Sequence, residues 1–357
     1  MLKLFLHLIQ YAGFILGQVT NAMLLFLVLT RAEKLFGSFR NVMAAFSAYS
    51  LGYTWIEVLA EPVMHIKGSM FIVMMDGPIK LDVAAGNVLA ALYCGSSALC
   101  ISLLTAQFYY RYVAVCKPEF LEKIKGWKLS LLFIPCIFCF VGWFSLVHYG
   151  MHNTQEKQDF MRDVMLENYG VEISNESFIG PMYYLYDNTG KCTWRWLDIM
   201  ASVLCTCILS TGLSLIAFCI IKIYSKLKSA EVIMSAKTRE LNRQLFVTLS
   251  FQVHFHRPTL LIEDFQTIVP LVMMYGPVGA FITLPYFEVE VGLLGNYVGA
   301  SAGVYPAIEP MIAIFFIKDF RNAVLCRNGK RAGARRTYFL GSTSQTRVSD
   351  IPSMSFH

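Results

Sequence analysis

Charge is what this sequence has least of. Asp, Glu, Lys and Arg make up 15% of its 357 residues, against roughly 25% in an average soluble domain. That is too few to cover the surface of a soluble enzyme of this length. Signatures of catalysis are scarce too. No Gly-rich phosphate loop, Ser-His-Asp arrangement or pair of acids on one helix face rises above chance, so an enzyme is not expected. Nor do ten cysteines and seven histidines make a metal site. Cys136-x-x-Cys139 and Cys205-x-Cys207 lie inside apolar runs without second pairs, where cysteine behaves as a small hydrophobe. His254-x-His256 lacks further ligands at useful spacing, so no metal or other cofactor is expected. Low-complexity linkers and fixed-period repeats are also absent, which gives no sign of an inverted-repeat transporter.

What is present is apolar: 56% of the chain, with a mean hydropathy of +0.52. It is concentrated in runs of about twenty residues, the length that crosses a hydrocarbon core as a helix. Seven such segments are expected, at about 4–30, 41–62, 84–110, 129–149, 197–221, 245–286 and 291–317. The fold class is therefore an all-α membrane protein, a seven-transmembrane helix bundle, with one domain over 1–317 and a tail over 318–357. The first segment is too long for a signal-peptide core, contains Gln10 and Gln18 and has no clear cleavage site before Arg31, so it reads as a span.

Orientation follows from the basic residues. Of the 30 Lys and Arg, 22 fall in the loops after the first, third and fifth spans and in the tail, which seven crossings put on one side. That side is the cytosol, so the N-terminus is outside and the C-terminus inside. The one N-x-S/T sequon, Asn175-Glu176-Ser177, lies in the long fourth-to-fifth loop that this topology places outside, making Asn175 the glycosylation candidate. The basic loops face a partner or anionic lipid, and nucleic acid is not expected.

At the cytosolic end of the third span, Tyr110-Arg111-Tyr112 sets an arginine among aromatics. It reads either as an interfacial belt or as a group that reaches a neighbouring helix or a bound partner in one bundle state. In the seventh span, Pro306 and Pro310 each remove a helix hydrogen bond and create a weak point. Glu309 between them is an intramembrane acid and a functional candidate by default; the alternative is an acid hydrated or paired near the cytosolic face. Residues 318–326 can form a short amphipathic helix on the inner leaflet. Cys326 there is a palmitoylation candidate or a free thiol, and the rest of the tail is basic, Ser/Thr-rich and expected to be disordered.

Tyr110-Arg111-Tyr112-x-Ala114-Val115-Cys116-Lys117-Pro118, Leu241-Asn242-Arg243-Gln244-Leu245-Phe246 and Tyr305-Pro306-x-x-Glu309-Pro310 followed by Lys318-Asp319-Phe320-Arg321 resemble the nematode seven-transmembrane chemoreceptors of the Str type, serpentine receptor class r. The resemblance covers nearly the whole chain and includes Glu61-Pro62 and Cys94-Gly95. It implies a G-protein-coupled chemosensory receptor, multi-pass in the plasma membrane and specifically in the cilia of sensory neurons, with a small odorant-like ligand. It also implies that Tyr110, Arg111 and Tyr112 take the place of the acidic-Arg-Tyr switch of better-known receptors, without the acid that would precede Arg111. With Arg239 and Arg243 they would face a heterotrimeric G protein.

Apolar cavities between helices on the outer side take small ligands in such bundles. Candidates at that depth are Asn87, Tyr93, Ser97, Ser202, Tyr275, Asn296 and Tyr297, each of which also reads as a packing contact. With no strong intramembrane site for a cation, a neutral ligand is favoured. A ligand-gated channel would need a polar conduction path and a transporter would need paired broken helices; both remain as alternatives. Oligomeric state is not legible. The sixth segment carries an anomaly: residues 253–266 hold three charges, two histidines and a proline. Removing them joins two apolar stretches, and Val and Gln codons can supply intron boundaries, so the insert reads as translated intron. The alternative is that 267–287 span alone and the insert belongs to the third inner loop.

Overall fold

The structure, a computed structural model, describes residues 2–31, 39–123, 126–187, 189–233, 271–316 and 318–325. Contacts divide the chain into two units, Met1–Ala313 and Ile314–His357. Long helices dominate the first. Among the described residues, five stretches are long and apolar enough to cross a membrane: Phe5–Thr30, Val83–Cys116, Gly126–Gly150, Trp196–Lys226 and Leu294–Phe315. The first lies in α1 (Leu2–Arg31). Next comes α2 (Phe39–Ala60), whose buried face is more polar, with Ser47, Ser50, Thr54 and Glu57. It packs on α1, where Gln18 donates to Leu51 O at 2.9 Å and to Thr54 Oγ1 at 2.7 Å. Gly17 permits this approach, since a Cβ there would meet Thr54 Cγ2 at 2.8 Å.

Beyond α2 the bundle is not purely helical, and the expectation of an all-α chain needs correction. The helix stops at Ala60 because Glu61 turns to a left-handed φ of 39° and Pro62, without an N–H, opens a strand. Strands β1 (Pro62–Lys67) and β2 (Met70–Met75) form an antiparallel hairpin in register Pro62↔Met75 to Lys67↔Met70. Gly68, at φ 50°, makes its turn. β3 (Phe178–Ile179) adds to β2, and β4 (Tyr184–Tyr186) pairs separately with β5 (Cys192–Trp194). The hairpin residues are mostly β-branched, aromatic or methionine, which suits a doubly covered strand pair.

Helix α3 (Val83–Cys116) is the most buried of the long helices and packs on α2, on α4 (Ile134–Ser145) and on α6 (Trp196–Ile233). It continues past the expected end at 110, so Tyr110, Arg111 and Tyr112 are helical; Lys117 N closes it on Val113 O at 2.9 Å. The fourth segment changes pitch twice, from a tight turn over Gly126–Phe133 through α4 to a wide turn over Leu146–Gly150. At 38 residues α6 is about 57 Å long, well beyond the roughly 30 Å of a hydrocarbon core.

Over the three-stranded sheet lies α5 (Gln155–Tyr169), closed by Gly170 at φ 67°. Its Met161 and Met165 meet Val63, Ile72, Met74, Phe178 and Met182 in a second small core. The cap is tied down by a buried cation: Lys157 Nζ donates to Asp198 Oδ1 at 2.5 Å, Gly180 O at 2.9 Å and His152 O at 3.0 Å. Burial lowers the Lys157 pKa and Asp198 opposes that shift. The chain then resumes with a wide turn (Leu271–Tyr275), α7 (Gly276–Thr283), a tight turn (Leu284–Phe287) and α8 (Leu294–Phe316). In the second unit, α9 spans Lys318–Val324, with Arg321 Nη1 donating to Phe315 O at 3.3 Å. Arg239, Arg243, the insert 253–266, Cys326 and the tail beyond it lie outside the described residues.

Candidate functional site

A cavity of about 90 Å³ opens among α3, α4, α6, α7 and α8. By the measure in which one water needs roughly 10–15 Å³, that suits a compact molecule. Tyr93, Ser97 and Ile101 line it as one face of α3, four residues apart. Trp143, Cys205, Val278 and Phe281 come from the other helices, and Met64, Phe71 and Val73 from the hairpin, with Ile179–Pro181, form its roof. The roof is fastened by Phe71 N to Pro181 O at 3.2 Å, Gly180 N to Met151 O at 3.0 Å, and a stack of Phe71 on Phe281 at 4.8 Å. Gly180 is required there, since a Cβ would press on Ile72 Cα at 2.9 Å.

Of the seven residues expected to contact ligand, Tyr93 and Ser97 line the cavity, and the structure places the others elsewhere. Asn296 is a tether: its Oδ1 accepts from Met64 N at 2.9 Å and its Nδ2 donates to Tyr169 Oη at 2.7 Å. Tyr297, one position along and about 100° round the helix, is 45% exposed and faces Phe5. Tyr275 Oη lies 3.1 Å from Thr105 Oγ1 and joins the wide turn to α3. Ser202 is buried beside the Tyr183 hydroxyl, which donates to Ile282 O at 2.7 Å. Asn87 is half-buried outside the cavity lining. Asn175 is exposed. All nine cysteines among the described residues are free thiols, Cys94 and Cys192 included.

At the opposite end of α3 the arginine motif is spread over three neighbours. Tyr110 is buried with Val42 and Leu129 and stacks on Phe39 at 5.2 Å. The Arg111 guanidinium lies 5.3 Å from the Phe108 ring and 5.7 Å from that of Phe39. Tyr112 meets Phe218 of α6 edge-on at 5.5 Å. Glu309 reaches this cluster from α8: Gln107 Nε2 donates to its Oε1 at 3.4 Å, and the charge of Arg111 acts on it. The acid that does not precede Arg111 in sequence is thus brought near by the fold.

The sequence profile described as serpentine type 7TM GPCR chemoreceptor Str matches residues 6–325. The chain belongs to this family. Serpentine receptor class r-10 of Caenorhabditis briggsae is 26% identical over 326 residues, covering 90% of this chain and 91% of its own. The protein of the same name from Caenorhabditis elegans is 26% identical over 344 residues, covering 95% of each. The G-protein coupled receptor str-33 of Caenorhabditis elegans is 22% identical over 343 residues, covering 95% of this chain and 92% of its own. The chain is a multi-pass membrane protein of a receptor family, and that family is not one of enzymes.

The receptor's proline segment is held by two residues of α1 that no motif marks. Pro310 has no N–H for the carbonyl of Pro306, and Asn21 of α1, fully buried, donates to that carbonyl at 2.8 Å. Thr20 Oγ1 donates to the next carbonyl, Ala307 O, at 3.2 Å. A buried amide inside an apolar run was the available signal. Glu57 of α2, 4% exposed, lies against Gly303 of α8, where a Cβ would come within 3.0 Å of its Cδ.

Proposed function

We propose that this receptor crosses the membrane seven times with its N-terminus outside, and that it detects a small uncharged molecule in the roofed cavity. The observation that carries the reading is that cavity, apolar and set between helices of a chain whose family is one of chemoreceptors. Two spans complete the count: α2, and the segment ending at Phe287. The sheets then cap the outer side. The Arg111 end faces the cytosol, consistent with the basic loops. Ligand in the cavity biases two bundle states through α3, whose far end carries Arg111, and through the proline segment of α8 with Pro306, Glu309 and Pro310. The projecting end of α6, with Lys222 and Lys226, joins Tyr110, Arg111, Tyr112, Arg239 and Arg243 in a surface for a heterotrimeric G protein. Cys326 would anchor the tail to lipid, Asn175 would carry glycan, and the site of action would be a sensory cilium.

The test is a ligand panel on cells expressing the full-length chain and a form without 253–266, each scored for surface delivery and G-protein activation. The reading expects activation that Arg111→Ala abolishes at unchanged surface level. A ligand-gated current or substrate uptake without G-protein activation would replace it.

A further inference from the structure

Five sulfur-bearing side chains converge on the cavity from five places: Met64 in β1, Cys94 in α3, Met151 beyond the wide turn, Cys205 in α6 and Met274 before α7. Two of the polar groups there are already engaged. Ser97 Oγ donates to Tyr93 O at 3.0 Å and lies 3.1 Å from Tyr53 Oη. Little remains to impose a hydrogen-bond pattern on a ligand. Methionine is unbranched and polarisable, re-packs easily, and recurs at binding surfaces that accept many partners. Met64 lies across the bare backbone of Gly299, where a Cβ would stand 2.6 Å from its Sδ, so the absence of a side chain there is what lets the thioether occupy this wall.

We infer that the cavity is broadly tuned, taking compact uncharged polarisable molecules by volume rather than outline, with Met64, Met151 and Met274 as the residues that set the breadth. This rests on the cavity being the ligand site. A rigid apolar pocket separates homologues differing by one methylene by about 10–200-fold. A pocket that re-packs keeps successive homologues within less than about 10-fold of one another.

The experiment uses full-length receptor in lipid nanodiscs, with dialkyl sulfides of four to eight carbons, their branched and cyclic isomers, and the matching ethers as probes. Affinities are read from thermal stabilisation, with Ala98→Leu, which fills the cavity from α3, as the background for partition into lipid. Wild type is expected to keep neighbouring homologues within about 10-fold. Met64→Ile, Met151→Ile and Met274→Ile, singly and combined, are expected to widen that spread, because a β-branched side chain fixes the wall; the single variants keep the test valid if the combined one fails to fold. A wild-type separation near 100-fold, or a spread unchanged in all the variants, would overturn the inference and leave the cavity as the site. Stabilisation no greater than in Ala98→Leu would overturn both. Broad binding without G-protein activation would uphold the breadth and remove the signalling role.

Discussion

Asn21→Ala, combined with Pro310→Ala, tests how the proline segment of α8 is held. In a regular helix residue 310 would donate its N–H to the carbonyl of residue 306, and a proline cannot. Asn21 Nδ2 makes that bond at 2.8 Å, and shares a second with Gly17 O at 2.9 Å. Asn21→Ala therefore leaves a buried carbonyl without a donor, a cost of about 1–3 kcal/mol. Pro310→Ala restores a backbone N–H at that carbonyl, so in its background the loss of Asn21 should cost much less. A coupling of about 1 kcal/mol or more is expected from the double-mutant cycle. The assay is unfolding of the receptor in nanodiscs followed with a thiol-reactive dye, since Cys100, Cys136, Cys205 and Cys219 are buried in the native fold. Additive effects of the two substitutions would show that Asn21 does not substitute for the missing N–H.

Three further outcomes are expected from the cap and the Arg111 end. Lys157→Ala should lower stability by about 3 kcal/mol, the low end for breaking a buried pair, because Arg195 Nε still reaches Asp198 Oδ2 at 3.1 Å; unchanged thermal stability would contradict the tether. Burial lowers the His65 pKa, with Glu290 opposing and Lys67 reinforcing, and the neutral ring can accept from Tyr169 Oη at 3.1 Å while that oxygen accepts from Asn296. A depressed folded value means stability that is complete above the unfolded pKa of about 6.5 and is lost as the pH falls below it. Hydrogen exchange over 62–75, corrected for intrinsic rate, should thus quicken between pH 7.5 and 5.5 in wild type but not in His65→Phe, and equal quickening in both would refute the assignment. Glu309→Gln keeps the bond with Gln107 and removes the titratable carboxyl near Arg111, so it should shift basal G-protein activity at equal surface level; activity identical to wild type would show that this carboxyl carries no conformational bias.

Long helices were legible because apolar runs are local, whereas what lies on either side of them was not. The hairpin carried a signal, with Gly68-Ser69 between two apolar β-prone runs, yet it reads as loop when attention is on spans. Depth along a helix could be read from sequence and rotation could not: Asn296 is buried and its neighbour Tyr297 is half exposed, and both sit at the same level. Tyr93 and Ser97, four residues apart on one face of the central helix, are the two of the seven candidates that line the cavity. The partners of Gln107 and Asn21 are 202 and 285 residues away in sequence, and only the packed bundle brings them together.

The most direct test of the central claim is nucleotide exchange on a purified heterotrimeric G protein by the full-length receptor in nanodiscs, with a volatile-compound panel. A ligand-stimulated rise that is lost in both Ala98→Leu and Arg111→Ala is the predicted result. Stimulated exchange that survives filling the cavity, or ligand-driven ion flux with no exchange at all, would contradict it.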